Sequence, residues 1–252
     1  MPRSSWAGAC STIRQTFGHP ELPCSSCHRQ ENAFADARNV PFGSTGQAHP
    51  RNSSGLTNVG YQPVFGWADA DTRQLEQQAP IPMFNVAPVE LGLKGIEAEV
   101  LQRLRDVTLY RQLFAAAFPG QPDPVTFDNI AKAIASFERL FLSGDSPYDR
   151  YVRGNTQAIS PAAARGEALF RSARLHCAQC HSGTLFTTFV TAVGATGGTV
   201  EFVNNGLYNL GGTGGYPAPN TGLFAETGVP SDMGKFKVPT LRNTALTLSV
   251  HA

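Results

Sequence analysis

Several common features are missing from this sequence, and each absence excludes a class of protein. No apolar run reaches the roughly 18 residues typical of a membrane-spanning helix, so no membrane span is expected. Lysine and arginine do not cluster and the formal net charge is only +1, which argues against a nucleic-acid surface because phosphate binding needs concentrated positive charge. No strongly alternating strand pattern is visible, which argues against a strand-rich fold. The first 20 residues contain no apolar segment typical of a secretory signal peptide, and we interpret this as a consequence of truncation rather than as evidence for a cytoplasmic protein.

The helical signals are stronger and predict a mostly α protein with long loops. Residues 94–118 are expected to form two helices with a break near Asp106, and Ser160 followed by Pro161 is typical of a helix start. The 25 glycines and 18 prolines indicate many turns, above all in residues 29–66 and 187–235. The clearest helix carries one apolar stripe, formed by Phe127, Ile130, Ile134, Phe137 and Phe141.

Two Cys-x-x-Cys-His motifs stand some 150 residues apart, as CSSCH at residues 24–28 and CAQCH at residues 177–181. In c-type attachment the two thiols add to the haem vinyl groups and the adjacent histidine reaches the iron. The sequence therefore predicts two covalently bound haems c. Their ligands are Cys24, Cys27 and His28 at the first site, and Cys177, Cys180 and His181 at the second.

Two other interpretations of the motifs remain open at this point. Zinc sites of four cysteines normally pair their knuckles across about 15–20 residues, and neither zinc nor a disulfide accounts for both histidines. Cys10, the fifth cysteine, is interpreted as a free thiol.

Longer blocks of sequence add a resemblance to a known family. Besides CSSCHRQENAFAD and CAQCHSGTLF, they include LEQQAPIPMFNVAPVELGL, NIAKAIASFERLFLSGDSPYDRY and MGKFKVPTLRNTALT. The chain resembles the bacterial dihaem cytochrome c peroxidases and their MauG-like relatives, most of all the MbnH-like branch. The resemblance implies two cytochrome c-like domains with one haem each, over residues 21–155 and 156–252, after a non-matching segment 1–20.

The same resemblance assigns roles to individual residues. His28 is implied as the proximal ligand of the peroxidatic haem and His181 as that of the electron-transfer haem. Trp67 corresponds to an electron relay between the haems, Gln78 to a distal glutamine and Glu90 to a distal glutamate. Independently, a carboxylate beside an open iron position can move the proton that peroxide cleavage requires, as general base and then acid.

The resemblance also implies a calcium ion near the domain interface, with Asn52 and the backbone carbonyl of Thr247 as ligands. His49 is interpreted as a loop residue, or one that contacts a ligand, rather than as an iron ligand itself; the alternative is a distal ligand of the first haem in one redox state. The family's usual distal ligand of the second haem comes from a segment after the PTLRN block, and we expect this sequence to be truncated at both ends. Four residues could substitute for that ligand, and no argument favours one: Met83, Tyr208, Met233 and His251.

The function implied is that of an oxidoreductase that reduces hydrogen peroxide at the first haem while the second relays electrons. It acts either as a peroxidase supplied by a small cytochrome c or cupredoxin, or as a MauG-like oxidase of a partner protein's tryptophan. The alternative is a dihaem electron carrier without peroxidase activity. Because bacteria attach haem c outside the cytoplasm, a periplasmic location is expected.

Overall fold

The fold is mostly helical with long loops, as predicted, in a computed structural model that describes residues 22–191 and 200–247. β-structure in these residues is limited to isolated bridges. Within the same ranges no helix combines the length and the apolar character needed to cross a bilayer. The predictions for segment 1–20, Cys10 and His251 lie outside the described residues. The α-helices are α1 (Leu75–Gln78), α2 (Pro80–Phe84), α3 (Glu97–Asp106), α4 (Thr108–Ala117), α5 (Phe127–Glu138), α6 (Pro147–Val152), α7 (Pro161–Arg171) and α8 (Phe224–Thr227).

The helix signals in the sequence are confirmed. The expected break near Asp106 falls at Val107, whose extended backbone separates α3 from α4. Ser160 caps α7, because its side-chain oxygen accepts a hydrogen bond from the Ala163 backbone N–H at 3.1 Å. The apolar stripe of α5 extends less far than its spacing suggests, since the helix ends at Glu138. Beyond that end, the Phe141 carbonyl accepts a hydrogen bond from the Asn58 backbone.

The chain divides into two compact units. The first unit contains residues 22–56, 64–138 and 245–247, and the second contains residues 57–63, 139–191 and 200–244. One motif falls in each unit. The predicted domain boundary between residues 155 and 156 stays a prediction.

The core of the first unit lies between α2, α3 and α5. Cys24 packs against this core, which places the start of the first motif on a rigid apolar base. The buried members of the core are Met83, Leu91, Leu93, Val100, Leu104, Val125 and Ile130.

The second unit is held by polar contacts between segments distant in the chain. Asn58 exchanges two hydrogen bonds of 2.9 Å with the backbone of Ser143. Thr187 is buried and donates to the Val238 carbonyl at 2.7 Å. Helix α7 packs against the short 3-10 turn Cys177–Gln179, which begins the second motif.

Candidate haem-binding and catalytic site

The first motif loop, residues 24–36, begins with a 3-10 turn over Cys24–Ser26. The His28 backbone N–H then donates to the Cys24 carbonyl at 2.9 Å, so both thiols and the histidine leave the same turn. The imidazole Nδ1 bonds to the Phe34 carbonyl at 2.9 Å. Because a carbonyl can only accept, Nδ1 carries the proton and Nε2 is the nitrogen with the lone pair for a metal.

The backbone of Phe34 has a left-handed conformation with φ of 62°. A bulky residue is rarely found there, and such strained positions gather at functional sites. This conformation belongs to the residue whose carbonyl orients the ring of His28. Burial lowers the pKa of His28, opposed by the hydrogen bond to the Phe34 carbonyl, and this direction favours the neutral ring that metal ligation requires.

The second motif loop, residues 177–189, repeats this arrangement. After the turn Cys177–Gln179, the His181 backbone N–H donates to the Cys177 carbonyl at 2.9 Å. The imidazole Nδ1 donates to the Phe186 carbonyl at 3.1 Å, and Phe186 has a φ of 51°. In both loops a phenylalanine in left-handed conformation orients the histidine.

The second motif loop is anchored by Arg242. Its guanidinium makes a buried bidentate ion pair with Asp149, with N–O distances of 2.6 and 2.9 Å, and its Nε donates to the Thr184 carbonyl at 2.6 Å. The same guanidinium lies 5.8 Å from the ring centroid of Phe186. Hydrogen bonds from Arg242 hold the pKa of Asp149 well below its usual range. The ion pair therefore fixes the residues that orient His181.

The residues of both loops fit a covalent haem c. All four motif cysteines are thiols rather than disulfides, and burial raises the pKa of the Cys27 thiol. Each histidine presents an oriented ring whose lone-pair nitrogen is Nε2. A four-ligand zinc site would need the two motifs in one cluster. Among the residues that the structure describes, no group of three or more His, Cys, Asp or Glu could hold a metal ion.

Glu90 lies in the first unit and faces His49. The shortest distance between the Glu90 carboxylate and the His49 imidazole is 4.0 Å, and their side chains are 28% and 15% exposed. Burial raises the pKa of Glu90, which a hydrogen bond to Asn85 opposes, and burial lowers the pKa of His49. A carboxyl group whose pKa moves toward neutrality is suited to proton transfer.

A tight turn holds this pair together. The Ser44 backbone N–H donates to the Glu90 carbonyl at 2.7 Å, and the His49 backbone N–H donates to the Pro41 carbonyl at 3.0 Å. A Cβ at Gly43 would lie only 1.7 Å from the Val89 carbonyl oxygen. Only glycine allows these two segments to approach so closely.

Gln78 and Trp67 are both half-buried in the first unit. Gln78 is the last residue of α1, with α2 between it and Glu90. The Trp67 indole Nε1 donates to the Asn52 carbonyl at 2.8 Å, which fixes the ring. The structure thus brings Trp67 to Asn52 and Glu90 to His49, two pairings that the sequence did not specify.

Asn52, the predicted calcium ligand, is buried, with its Nδ2 donating to the Arg38 carbonyl at 2.5 Å. The amide nitrogen is thereby used, and Oδ1 is the atom that would ligate a cation. Thr247 is half-buried in the same unit.

The candidate distal ligands of the second haem lie in different environments. Met83 is 2% exposed within the core of the first unit, and Tyr208 packs edge-to-face on Tyr216 with centroids 5.3 Å apart. Met233 is half-buried in the loop after α8. No pattern in the sequence predicts a special role for Arg242, Asp149 or Lys237. A capping pattern in SPYD hints at Asp149, but no local signal identifies its partner.

Comparisons with known proteins agree with this geometry. The chain is 32% identical over 167 residues to the methylamine utilization protein MauG of Methylophilus methylotrophus, covering 66% of this chain and 48% of that protein. It is 30% identical over 226 residues to the cytochrome c551 peroxidase of Pseudomonas aeruginosa, covering 90% and 60%. A crystal structure of a MauG-like protein associated with microbial copper homeostasis superposes with a TM-score of 0.90 and 39% identity, covering 98% and 71%.

The family model for the di-haem cytochrome c peroxidases matches residues 17–157. The chain belongs to the di-haem cytochrome c peroxidase family, which includes the MauG proteins, and this membership implies two haems c. It spans 48% and 60% of the lengths of the two curated relatives named above.

Proposed function

We propose that this protein is a dihaem c-type oxidoreductase that reacts with hydrogen peroxide in its first unit. The observation that carries the proposal is the half-buried Glu90 carboxyl with a raised pKa, in the same unit as the first motif. Cys24, Cys27 and His28 would hold the first haem, and Cys177, Cys180 and His181 the second. A bound haem supplies an iron that binds peroxide and stores oxidising equivalents.

The residues of the first unit would handle the protons of the reaction. Reduction of one H₂O₂ to two waters consumes two electrons and two protons. In this proposal the Glu90 carboxylate accepts a proton from one peroxide oxygen and delivers it to the other, which turns that oxygen into a water leaving group. His49 lies 4.0 Å from this carboxylate, and Gln78 would orient the peroxide by hydrogen bonding.

Electrons would enter through the second haem, with Trp67 as relay. The hydrogen bond from its indole to Asn52 holds the ring in one orientation, which suits a relay because little rearrangement accompanies electron transfer. Asn52 and Thr247 would bind calcium through oxygen atoms. We place the protein in the periplasm, since haem c is attached there.

Two electron sources fit this scheme. In a peroxidase, a small cytochrome c or cupredoxin would donate both electrons. In a MauG-like oxidase, a tryptophan of a partner protein would be oxidised instead. The 39% identity to a MauG-like protein over 98% of this chain favours the second version.

The test uses the holoprotein matured with its haems and mixed with one equivalent of peroxide in a stopped-flow spectrometer. We expect the Glu90→Gln variant to keep both haems and to react roughly 10²–10⁴-fold more slowly. Glu99→Gln, which changes an exposed carboxylate of the same unit, is the matched control and should react at the wild-type rate.

Two results would contradict the proposal. One is an unchanged peroxide rate in Glu90→Gln. The other is a wild-type protein whose haems are both low-spin and unreactive, the behaviour of an electron carrier.

A further inference from the structure

A tyrosine of the second unit packs directly on the residue that orients His181. The ring of Tyr148, in α6, lies against the ring of Phe186 with centroids 4.9 Å apart and an interplanar angle of 58°. The Phe186 carbonyl in turn accepts the hydrogen bond from His181 Nδ1 at 3.1 Å. A single residue, Phe186, therefore contacts both Tyr148 and the predicted iron ligand of the second motif.

The phenol of Tyr148 meets a charged pair on α7. Its hydroxyl donates to Glu167 Oε1 at 3.5 Å, and its oxygen accepts a hydrogen bond from Arg171 Nη2. Glu167 and Arg171 are one helical turn apart and form an ion pair with each other. The Glu167 side chain is 23% exposed, so its carboxylate is partly shielded from water. The hydroxyl proton of Tyr148 thus faces a carboxylate that can accept it.

The aromatic contacts at this position do not require a hydroxyl. A phenylalanine would offer the same ring to Phe186 and to Tyr151, whose ring centroid is 6.5 Å from that of Tyr148. What the hydroxyl adds is a proton with an acceptor beside it. A phenol loses an electron readily only when its proton leaves at the same time, so a neighbouring base is the feature that makes a tyrosine oxidisable.

We propose that Tyr148 is a redox-active residue that donates one electron to the haem attached at Cys177 and Cys180 and passes its hydroxyl proton to Glu167. The proposal rests on the proposed function, because hydrogen peroxide is the oxidant that removes electrons from that haem. In this step the O–H bond of Tyr148 breaks and an O–H bond forms at the Glu167 carboxylate. The tyrosine becomes a neutral tyrosyl radical, and its electron goes to the haem.

The position of Tyr148 gives this step a consequence. Tyr148 and its neighbour Tyr151 are both half-buried rather than enclosed in the core. The radical therefore forms where a reductant from solution reaches it. An oxidising equivalent derived from peroxide can then leave the second unit through α6 when no partner protein supplies the electron.

The first experiment locates the radical. The holoprotein with ring-deuterated tyrosine is mixed with one equivalent of hydrogen peroxide, frozen within milliseconds and measured by electron paramagnetic resonance. We expect a radical signal that narrows on deuteration and disappears in Tyr148→Phe, which keeps the ring contact with Phe186. Tyr110→Phe, which changes a half-buried tyrosine of the first unit, is the matched control and should keep the signal. A wild-type protein that consumes peroxide without forming a tyrosyl radical would overturn the proposal.

The second experiment tests Glu167 as the proton acceptor. The radical should form at least roughly 10²-fold more slowly in Glu167→Gln, because the amide cannot take up the proton. Formation in the wild type should also be slower in D₂O, since the proton moves with the electron. Glu201→Gln, which changes an exposed carboxylate of the same unit, should form the radical at the wild-type rate. An unchanged rate in Glu167→Gln, or no effect of D₂O, would show that Glu167 is not the acceptor.

A third measurement needs no peroxide and separates failure of this proposal from failure of the proposed function. Tris(bipyridine)ruthenium(III), generated by a light flash, removes one electron from the holoprotein, and the same radical should appear on Tyr148. If the wild type does not consume peroxide, the proposed function fails and the flash experiment decides whether Tyr148 is redox-active. If it consumes peroxide and Tyr148→Phe gives the wild-type radical in both experiments, the proposed function stands and this proposal is wrong.

Discussion

The two motif loops reach the same local geometry by different means. In each, a 3-10 turn carries the cysteines, and a left-handed phenylalanine accepts a hydrogen bond from the histidine Nδ1, at 2.9 and 3.1 Å. The first motif loop is supported by near neighbours: Arg29 bridges to Ala35, and Asp36 accepts three hydrogen bonds from Arg38. The second is supported by Arg242, which is 58 residues from Thr184 and 93 from Asp149.

This difference shows that one ligand geometry can be stabilised either locally or by tertiary contacts. A local anchor forms wherever its own segment folds. A distant anchor forms only when the whole unit is folded, and it couples the orientation of His181 to the stability of that unit. The two anchors are the ion pairs Arg38–Asp36 and Arg242–Asp149, and they also differ in solvation. Arg38 is 44% exposed, although Asp36 is only 1% exposed, whereas Arg242 and Asp149 are 5% and 9% exposed.

The largest effect is expected from removing the cysteines of either loop. The double variants Cys24→Ala/Cys27→Ala and Cys177→Ala/Cys180→Ala should each lose one of two covalent haems, because each loop holds its own. Intact-protein mass after denaturation measures the loss, and Cys10→Ala serves as the control that keeps both haems. If either double variant keeps two covalent haems, the loop that lost its cysteines is not an attachment site, and the prediction is wrong.

The next effect separates the two anchors. Asp149→Ala leaves the Arg242 guanidinium buried without its partner, which should lower the free energy of unfolding by about 3–5 kcal/mol. Asp36→Ala should cost less, about 1–3 kcal/mol, because water reaches Arg38. Urea unfolding gives both values. Asp145→Ala, which breaks two exposed ion pairs with Arg150 and Arg153, should change nothing measurable. Equal losses from Asp149→Ala and Asp36→Ala would remove the distinction between the anchors.

Acid should weaken the second anchor. The pKa of Asp149 is lowered in the folded state by Arg242, so its contribution to stability is complete above the unfolded-state pKa of about 4 and is lost as pH falls below it. The unfolding free energy of the wild type should therefore fall more between pH 6 and pH 3 than that of Asp149→Asn. Parallel pH curves for the two proteins would be inconsistent with this anchor.

The smallest effect concerns a detail present only in the first loop. The Ser26 hydroxyl donates to the Pro23 carbonyl at 2.6 Å and lies 3.7 Å from the Cys27 sulfur, whereas the equivalent residue of the second loop is Gln179. Ser26→Ala should lower the free energy of unfolding by about 0.5–1.5 kcal/mol. Gln179→Ala is the matched control and should leave it unchanged, as measured by urea unfolding.

Local features of the fold were predictable from the sequence. The break between α3 and α4 and the Ser160 cap of α7 depend on residues within a few positions of each other. A short stretch of sequence therefore contains all the residues that decide them. The end of α5 was not predictable, because the contact of Phe141 with Asn58 spans more than 80 residues. The pairing of Glu90 with His49 and the anchoring by Arg242 were missed for the same reason.

The sequence alone determined the two motifs, the family and the mostly helical class, because the thiols and histidine that a haem c requires are adjacent in the chain. The local turns follow from the same few residues. Only the tertiary structure decided which distant groups meet: the acid beside His49, the guanidinium that fixes Phe186, and the lysine buried in the second unit. Burial and opposite charge act through space, so the pKa changes of Glu90, Asp149 and Lys237 arise only once the chain has folded.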